Sequence, residues 1–233
     1  MNLQKFFLAA AIFTVTITSS QVRDYSDYNL VQNNDSLNRS RFLSDEEIAQ
    51  VKGSPYVNGG VFLSGNIYKN DEKIMSNVLM RYNAYSDHFQ TTKEGLKTPT
   101  GILLKDPGAV VEIGSKTYVF FPQGKVPGIG GYLELISEGK KASVYKRHNV
   151  TYVEAIKSND SYTADKPARF NDLTTYYMVD VNVVFTELPQ SKKKILKAFS
   201  GKQKVMKNYM KQNKLDVNNE TDLAKIVAHY YSL

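Results

Sequence analysis

Between about residues 56 and 186 the chain consists of short apolar segments separated by polar turns. Segments 109–113 and 116–121 flank Gly114-Ser115, and this arrangement predicts a β-hairpin. Segments 132–136 and 142–145 flank a second polar turn and predict another hairpin. Short strands at this spacing are typical of antiparallel sheets. The sequence therefore predicts a mainly β fold, either an antiparallel β-sandwich or a partly closed barrel.

A helical pattern follows the predicted strands and ends the chain. Ser191 and either Asn218 or Asn219 are candidate helix caps. Apolar residues recur at helical spacing in two groups: Val205, Met206, Tyr209 and Met210, then Leu223, Ile226, Val227, Tyr230 and Tyr231. We expect these stripes to pack on each other or on the sheet. A helix lying on a membrane surface is the alternative, because basic residues flank the apolar stripe.

The first twenty residues have the pattern of a secretory signal peptide. Lys5 precedes the apolar run 6–13, and small residues at Thr18 and Ser20 follow it. The run is too short to span a bilayer, which takes about 20 apolar residues. We therefore expect export and cleavage after Ser20, with an uncleaved anchor as the alternative. The chain has no cysteine, so disulfides and lipidation at a lipobox are excluded.

These patterns predict four parts of the chain. Residues 1–20 are the signal peptide, and residues 21–50 are a mostly irregular leader with one short helix capped by Ser44. Residues 51–188 form a β-rich domain, in which 157–173 is expected to be a long loop. Residues 189–233 form a basic helical tail.

The positive charge is concentrated in the predicted tail. The formal net charge is +7, and the segment 192–214 holds nine lysines and no acid. Such a cluster suits an anionic lipid or an acidic protein surface, and export makes nucleic acid the least suitable partner. Lys202, Lys204, Lys207 and Lys211 flank the apolar stripe and are candidate binding residues. A merely solvated helix face is the alternative.

A second candidate binding segment lies near the middle of the chain. Residues 81–87 hold more polar and aromatic side chains than a plain strand needs, and the candidate residues are Arg81, Tyr82, Asn83, Tyr85 and Asp87. The alternative is that these side chains pack in the sheet, because a half-buried tyrosine both packs and keeps its hydroxyl solvated.

The sequence contains no motif that predicts catalysis. His88, His148 and His229 lie far apart, and the chain has no H-E-x-x-H, G-x-S-x-G or P-loop pattern. We therefore predict no catalytic residue, no metal ligand and no cofactor. A hydrolase whose carboxylates are brought together only by the fold stays an alternative, since that spacing is spatial. A barrel-type carrier of a small apolar ligand is a further alternative.

Several short motifs carry a resemblance. They are 53–58, 81–87, 166–170, 209–215, 222–227 and 230–233. With them the chain resembles a widespread group of uncharacterised exported proteins from Bacteroidetes. The resemblance implies a β-rich domain with a C-terminal helical unit in a Gram-negative envelope, and it implies no catalytic residues.

Compartment and resemblance together predict the role and place of the protein. We expect an exported, non-enzymatic binding or structural subunit in the periplasm, free or associated with the outer membrane. An envelope or outer-membrane protein is the expected partner, in a complex such as a type IX secretion translocon or a nutrient-uptake assembly. Anionic contact through 192–214 is expected to support this association.

Overall fold

The computed structural model describes residues 31–33, 43–126, 129–157 and 164–233. Within these residues the helices are α1 (Asp45–Ala49), α2 (Gln203–Gln212) and α3 (Glu220–Ser232), with 3₁₀ turns at Val57–Gly60 and Ile195–Ala198. The strands are β1 (Val31–Asn33), β2 (Leu63–Lys69), β3 (Glu72–Asn83), β4 (His88–Thr92), β5 (Gly101–Leu103), β6 (Ala109–Ile113), β7 (Lys116–Val126), β8 (Ile129–Ser137), β9 (Ala142–Arg147), β10 (Val150–Val153), β11 (Arg169–Asp172), β12 (Thr175–Asp180) and β13 (Phe185–Glu187).

One large sheet organises the fold. Eleven of the described strands form it in the order β1-β5-β4-β3-β2-β6-β7-β8-β9-β12-β13, and neighbouring strands are antiparallel. Strands β10 and β11 form a separate antiparallel pair. Helices α2 and α3 follow the last strand. The predicted class is confirmed: the protein is mainly β with a C-terminal helical unit.

The sheet curls strongly over an aromatic core. Neighbouring strands lie about 4.8 Å apart, so in a flat sheet β4 and β8 would be separated by roughly 24 Å. Yet the rings of Phe89 on β4 and Tyr132 on β8 have centroids 4.9 Å apart. Tyr82 on β3 and Tyr118 on β7 are likewise 5.2 Å apart. The sheet is thus bent towards a barrel without closing into one, in agreement with the predicted sandwich or partly closed barrel.

Alternation along the strands fills this core. On β6, Ala109, Val111 and Ile113 are buried, whereas Val110 and Glu112 are only half-buried. This period of two is what a strand shows when one face packs against a core. The core also contains the buried side chains of Ile67, Ile74, Met80, Tyr82, Phe89, Leu103, Tyr118, Tyr132, Val150 and Phe170.

The C-terminal helices pack on the other end of the sheet. Met206 and Met210 of α2, with Leu223, Ile226 and Val227 of α3, are buried. They share one cluster with sheet residues that include Val144 and Met178. Packing on the sheet, the first of the two expectations for the helical stripes, is therefore the one observed. Val205 was predicted in the stripe and this is wrong, because its side chain is 49% exposed.

Most local signals in the sequence correspond to local structures, but the predicted cap Ser191 is wrong, because the 3₁₀ turn Ile195–Ala198 begins after Lys194 and has no side-chain cap. The two predicted hairpins are β6–β7 and β8–β9. Ser44 caps α1 in a capping box with Glu47, and Asn219, not Asn218, caps α3.

The expected long loop at 157–173 is wrong in part, because Arg169–Asp172 is strand β11 and pairs with β10. Residues 158–163 of that segment lie outside the described residues.

The predicted N-terminal parts are described only in small part. The signal peptide at 1–20 lies outside the described residues, and of the leader at 21–50 the structure describes 31–33 and 43–50. Strand β1 of this leader pairs with β5. Among the described helices, none combines the length and the apolar character needed to cross a bilayer.

Candidate functional site

Arg81, the first residue of the predicted binding segment 81–87, lies in a buried polar network. Its side chain is 7% exposed, and its guanidinium donates to Asp45 Oδ1 and to Gln90 Oε1, both at 2.8 Å. It also donates to the hydroxyl of Tyr56 at 2.9 Å and lies 4.0 Å from the centroid of that ring. A buried charge with several partners is stable where an unpaired one is not. Arg81 therefore connects helix α1 to strand β3.

The other residues of the segment also have partners within the chain. The Tyr82 hydroxyl donates to Asp87 Oδ1 at 2.8 Å, and burial followed by the Asp87 charge raises the pKa of Tyr82. Asn83 Oδ1 accepts from the backbone N–H groups of Tyr85 and Ser86, both at 3.1 Å. Arg81, Tyr82 and Asn83 are buried and Asp87 is half-buried. The structure thus brings the predicted residues together, with most of their polar atoms engaged by the fold.

Tyr85 is the member of this group that faces solvent most. Its side chain is 39% exposed, and its ring contacts Phe170 edge-on with centroids 5.8 Å apart. Because Phe170 belongs to the smaller sheet, this contact joins the turn after β3 to the pair β10–β11.

The predicted lysines of the tail differ among themselves. Lys204, Lys207 and Lys211 are exposed and lie three or four residues apart on α2, so they share one face of the helix. Lys202 is half-buried, and its ammonium lies 5.1 Å from the ring centroid of Tyr230 and 3.5 Å from the carbonyl oxygen of that residue. We therefore place Lys202 beside the end of α3, apart from the exposed face.

The exposed lysines of this region form what we call the basic surface: Lys192, Lys193, Lys194, Lys197, Lys204, Lys207, Lys211 and Lys214. Within the described part of the chain, none of the lysines of 192–214 makes a salt bridge with a carboxylate. The nine lysines of 192–214 carry more positive charge than the net +7 of the whole sequence. The rest of the sequence therefore carries a formal charge of −2. The basic surface is thus a group of exposed lysines that have no salt-bridge partner in the described residues.

A buried carboxylate on β8 was missed by sequence reasoning. Glu134 is 5% exposed, and its Oε2 accepts from Lys116 at 2.9 Å and lies 2.5 Å from Nε2 of His148. Tyr118 donates to the same oxygen at 3.5 Å. Burial alone raises the pKa of Glu134, but the hydrogen bonds from His148 and Lys116 lower it below its ordinary value. The signal in the sequence is a single carboxylate in the middle of the apolar strand 132–136.

A second carboxylate joins α3 to the sheet. Glu220, in the first turn of α3, accepts from Lys146 and from the Tyr176 hydroxyl, each at 2.9 Å. Burial disfavours charge on both Lys146 and Glu220, yet their mutual hydrogen bond raises the pKa of Lys146 and lowers that of Glu220. This pair therefore holds the helical unit on the sheet.

A cleft of about 430 Å³ lies beside these charged pairs. Its walls include Lys116, Lys146 and His148, together with polar residues Ser54, Tyr56, Asn58, Asp172 and Thr174. The basic side chains of the cleft are already paired: Lys116 and His148 with Glu134, and Lys146 with Glu220. In the described residues, His148 has no hydrogen bond to a hydroxyl group that could serve as a nucleophile.

The three histidines each contact different residues in the fold. His88 Nδ1 lies 2.5 Å from the carbonyl oxygen of Ser86, and the His229 ring stacks on Tyr209 with centroids 3.6 Å apart. The part of the chain that the structure describes contains no group of three or more potential metal ligands among His, Asp and Glu. No protein family, curated protein or solved structure matches the chain.

Proposed function

We propose that this protein is an exported, non-enzymatic binding protein of the cell envelope that attaches to an anionic surface through its basic helical unit. The observation that carries the proposal is the basic surface, in which eight exposed lysines have no carboxylate partner within the described residues. Exposed cations without carboxylate partners produce a positive potential that attracts anionic partners. Dissolved salt screens this potential and should weaken the attraction.

The packing of the helical unit supports a rigid attachment surface. Met206 and Met210 pack one face of α2 against the core. Lys204, Lys207 and Lys211 therefore lie on the side of α2 that faces solvent. Lysine side chains near an anionic surface contribute about 1 kcal/mol each. Several lysines held on one rigid face can therefore add their contributions without first ordering the backbone.

Salt-dependent binding to isolated envelopes tests this proposal. The variant Lys204→Gln/Lys207→Gln/Lys211→Gln/Lys214→Gln removes four charges from the basic surface. Lys73→Gln/Lys93→Gln/Lys97→Gln/Lys157→Gln removes four exposed charges elsewhere and is the matched control. We expect the wild type and the control to sediment with envelopes at about 0.15 M salt and to be released at about 1 M salt. The first variant should stay in the supernatant at both salt concentrations. Equal binding of all three proteins would contradict the proposal.

Export has its own measurement. Intact-mass analysis of protein from the native host should show a chain that begins at Gln21, because the predicted cleavage follows Ser20. A chain that retains residues 1–20 would instead support a membrane-anchored protein.

A hydrolase is the second candidate, and the cleft next to His148 is the observation that favours it. The pairing of His148 with Glu134 could orient the ring as a general base for a water molecule. If so, His148→Gln should abolish a hydrolytic activity that Lys204→Gln leaves unchanged. We rank this function second, because Glu134 is held by Lys116 and Tyr118 as well as by His148.

A further inference from the structure

The turn between β12 and β13 exposes three valines, which we call the apolar tip. Val181, Val183 and Val184 are 71%, 43% and 55% exposed. The adjoining strand β13 is the last strand in the order of the large sheet. A single exposed apolar residue is ordinary, but a cluster of them marks an interaction surface.

The apolar tip is held in a strained conformation by hydrogen bonds to Asp180. Val183 has a φ of 60°, a value that is unfavourable for a β-branched residue. The Asp180 carboxylate accepts from the backbone N–H groups of Asn182 and Val184, both at 2.9 Å. Glycine or asparagine would adopt this conformation at lower cost. The strained, exposed valine therefore indicates a role for its side chain at the surface.

Lys141 neighbours the apolar tip in the structure. The backbone N–H of Val181 donates to the carbonyl oxygen of Lys141 at 3.2 Å, and Lys141 Nζ donates to the carbonyl oxygen of Tyr231 at 2.7 Å. Lys202 lies against the neighbouring ring of Tyr230. The apolar tip, the β8–β9 turn, the end of α3 and the start of α2 therefore meet at one end of the molecule.

The charges and aromatic groups at this end suit a bilayer interface. Lys140, Lys141 and Lys202 lie at this end together with the carboxylates of Glu138 and Asp180, and the basic surface follows along α2. The tyrosines at the end of α3 are half-buried, and tyrosine is enriched at the level of lipid headgroups. Apolar residues that insert shallowly, with cations beside them, are typical of proteins that bind anionic membranes peripherally.

We propose that this end of the molecule binds an anionic lipid bilayer, with the apolar tip inserted among the headgroups and the neighbouring lysines against their phosphates. This inference rests on the proposed function, because it names the anionic surface to which the basic unit attaches. A bilayer is favoured over an acidic protein because the valines protrude from a turn and because insertion among lipids requires no matching pocket.

Sedimentation with vesicles tests the proposal. The protein is purified in its exported form, and the probes are vesicles of phosphatidylglycerol and phosphatidylcholine in equal parts and vesicles of phosphatidylcholine alone. We expect the wild type to bind the first and not the second. Val181→Ser/Val184→Ser should weaken that binding roughly tenfold, since it removes apolar groups that enter the interface. Val61→Ser/Ile156→Ser, at exposed apolar positions elsewhere, should bind like the wild type.

A third variant separates the backbone strain at Val183 from the contribution of its side chain to membrane binding. Val183→Asn should raise the melting temperature, because asparagine tolerates a positive φ, and it should still weaken vesicle binding. A stabilised variant that binds vesicles as the wild type does would contradict the role of the valine side chain.

The remaining outcomes are equally decisive. If the wild type does not bind the phosphatidylglycerol vesicles but still sediments with envelopes in a salt-sensitive manner, the bilayer inference is wrong and the proposed function stands, with an acidic protein as partner. If neither binding occurs, both are wrong. If the apolar-tip variant changes only the oligomeric state in light scattering, the tip is a self-association surface and the inference fails.

Discussion

The carboxylate of Asp87, in the turn after β3, accepts a hydrogen bond of 3.0 Å from the backbone N–H of Tyr132 on β8. Strands β2, β6 and β7 lie between β3 and β8 in the sheet. The contact therefore joins two regions that only the curl of the sheet brings together. Lys105 pairs with the other oxygen of the same carboxylate at 2.5 Å.

Asp87 should therefore stabilise the curled sheet. Asp87→Ala leaves the Tyr82 hydroxyl and the Tyr132 N–H without their acceptor, and each buried unsatisfied group costs about 1–3 kcal/mol. Denaturant unfolding should show a loss of at least about 2 kcal/mol. Asp87→Asn should lose less, because it keeps an acceptor oxygen and tolerates the φ of 55°.

Asp71 provides the matched control for this measurement. It has a similar φ of 64°, lies exposed in the turn between β2 and β3 and, among the described residues, accepts no hydrogen bond from a buried group. Asp71→Ala should thus report the backbone cost alone. An equal loss in Asp71→Ala and Asp87→Ala would show that the Asp87 hydrogen bonds contribute nothing to stability.

Gly131 should be intolerant of a side chain. Its φ is 113°, and an added Cβ would lie 2.4 Å from Asp87 Oδ2. Gly95 has a φ of 79° but open space around it, so Gly95→Ala measures conformational strain without the steric clash. We expect Gly131→Ala to lower the free energy of unfolding by more than Gly95→Ala, which should cost about 1–2 kcal/mol. Equal losses would mean that the Asp87 side chain moves aside freely.

Glu134 should make the free energy of unfolding depend on pH in the acidic range. Its pKa in the folded protein is lowered by His148 and Lys116, despite the opposing effect of burial. A lowered carboxyl pKa stabilises the fold above the unfolded-state value of about 4.5, and that stability is lost as the pH falls through the lower folded value. Glu134→Gln should therefore flatten the acid limb of a plot of unfolding free energy against pH.

Exposed Glu94 is the control for this pH profile. Glu94→Gln should leave the slope below about pH 4.5 as in the wild type. If the profiles of Glu134→Gln and Glu94→Gln coincide, other carboxylates dominate the acid response and our assignment is wrong.

The attachment of α3 depends on Ile226. The side chain is fully buried in the cluster shared with the sheet, and replacing such a residue by alanine costs about 2–5 kcal/mol. Thermal and denaturant unfolding of Ile226→Ala should show this loss, and Ile226→Asp should not fold to a soluble protein. Exposed Val205 is the control, and Val205→Ala should change stability by less than about 0.5 kcal/mol. If Ile226→Ala were as stable as the wild type, the packing of Ile226 against the core would not hold α3 on the sheet.

Features that depend on neighbouring residues could be predicted from the sequence. The two hairpins follow from turn residues between alternating strands, and the start of α1 follows from Ser44 and Glu47. The buried face of α3 follows from its helical periodicity. The lysine-rich segment was also visible, although the half-buried place of Lys202 was not.

Contacts between distant residues required the tertiary structure. Glu220 lies 74 residues from Lys146 and 44 from Tyr176, and Asp87 lies 45 residues from Tyr132. Alternation shows which face of a strand is buried, but not which strands become neighbours or how far the sheet bends.

The sequence by itself determined the mainly β class, the helical tail, the absence of disulfides and the concentration of cations in 192–214, because each depends on composition or on short-range periodicity. Only the tertiary structure decided that segment 81–87 is occupied by internal partners, that Glu134 meets His148 and that the β12–β13 turn with its exposed valines lies next to Lys141. The reason is physical: the energy of a buried charge or an exposed apolar group depends on what lies across space from it.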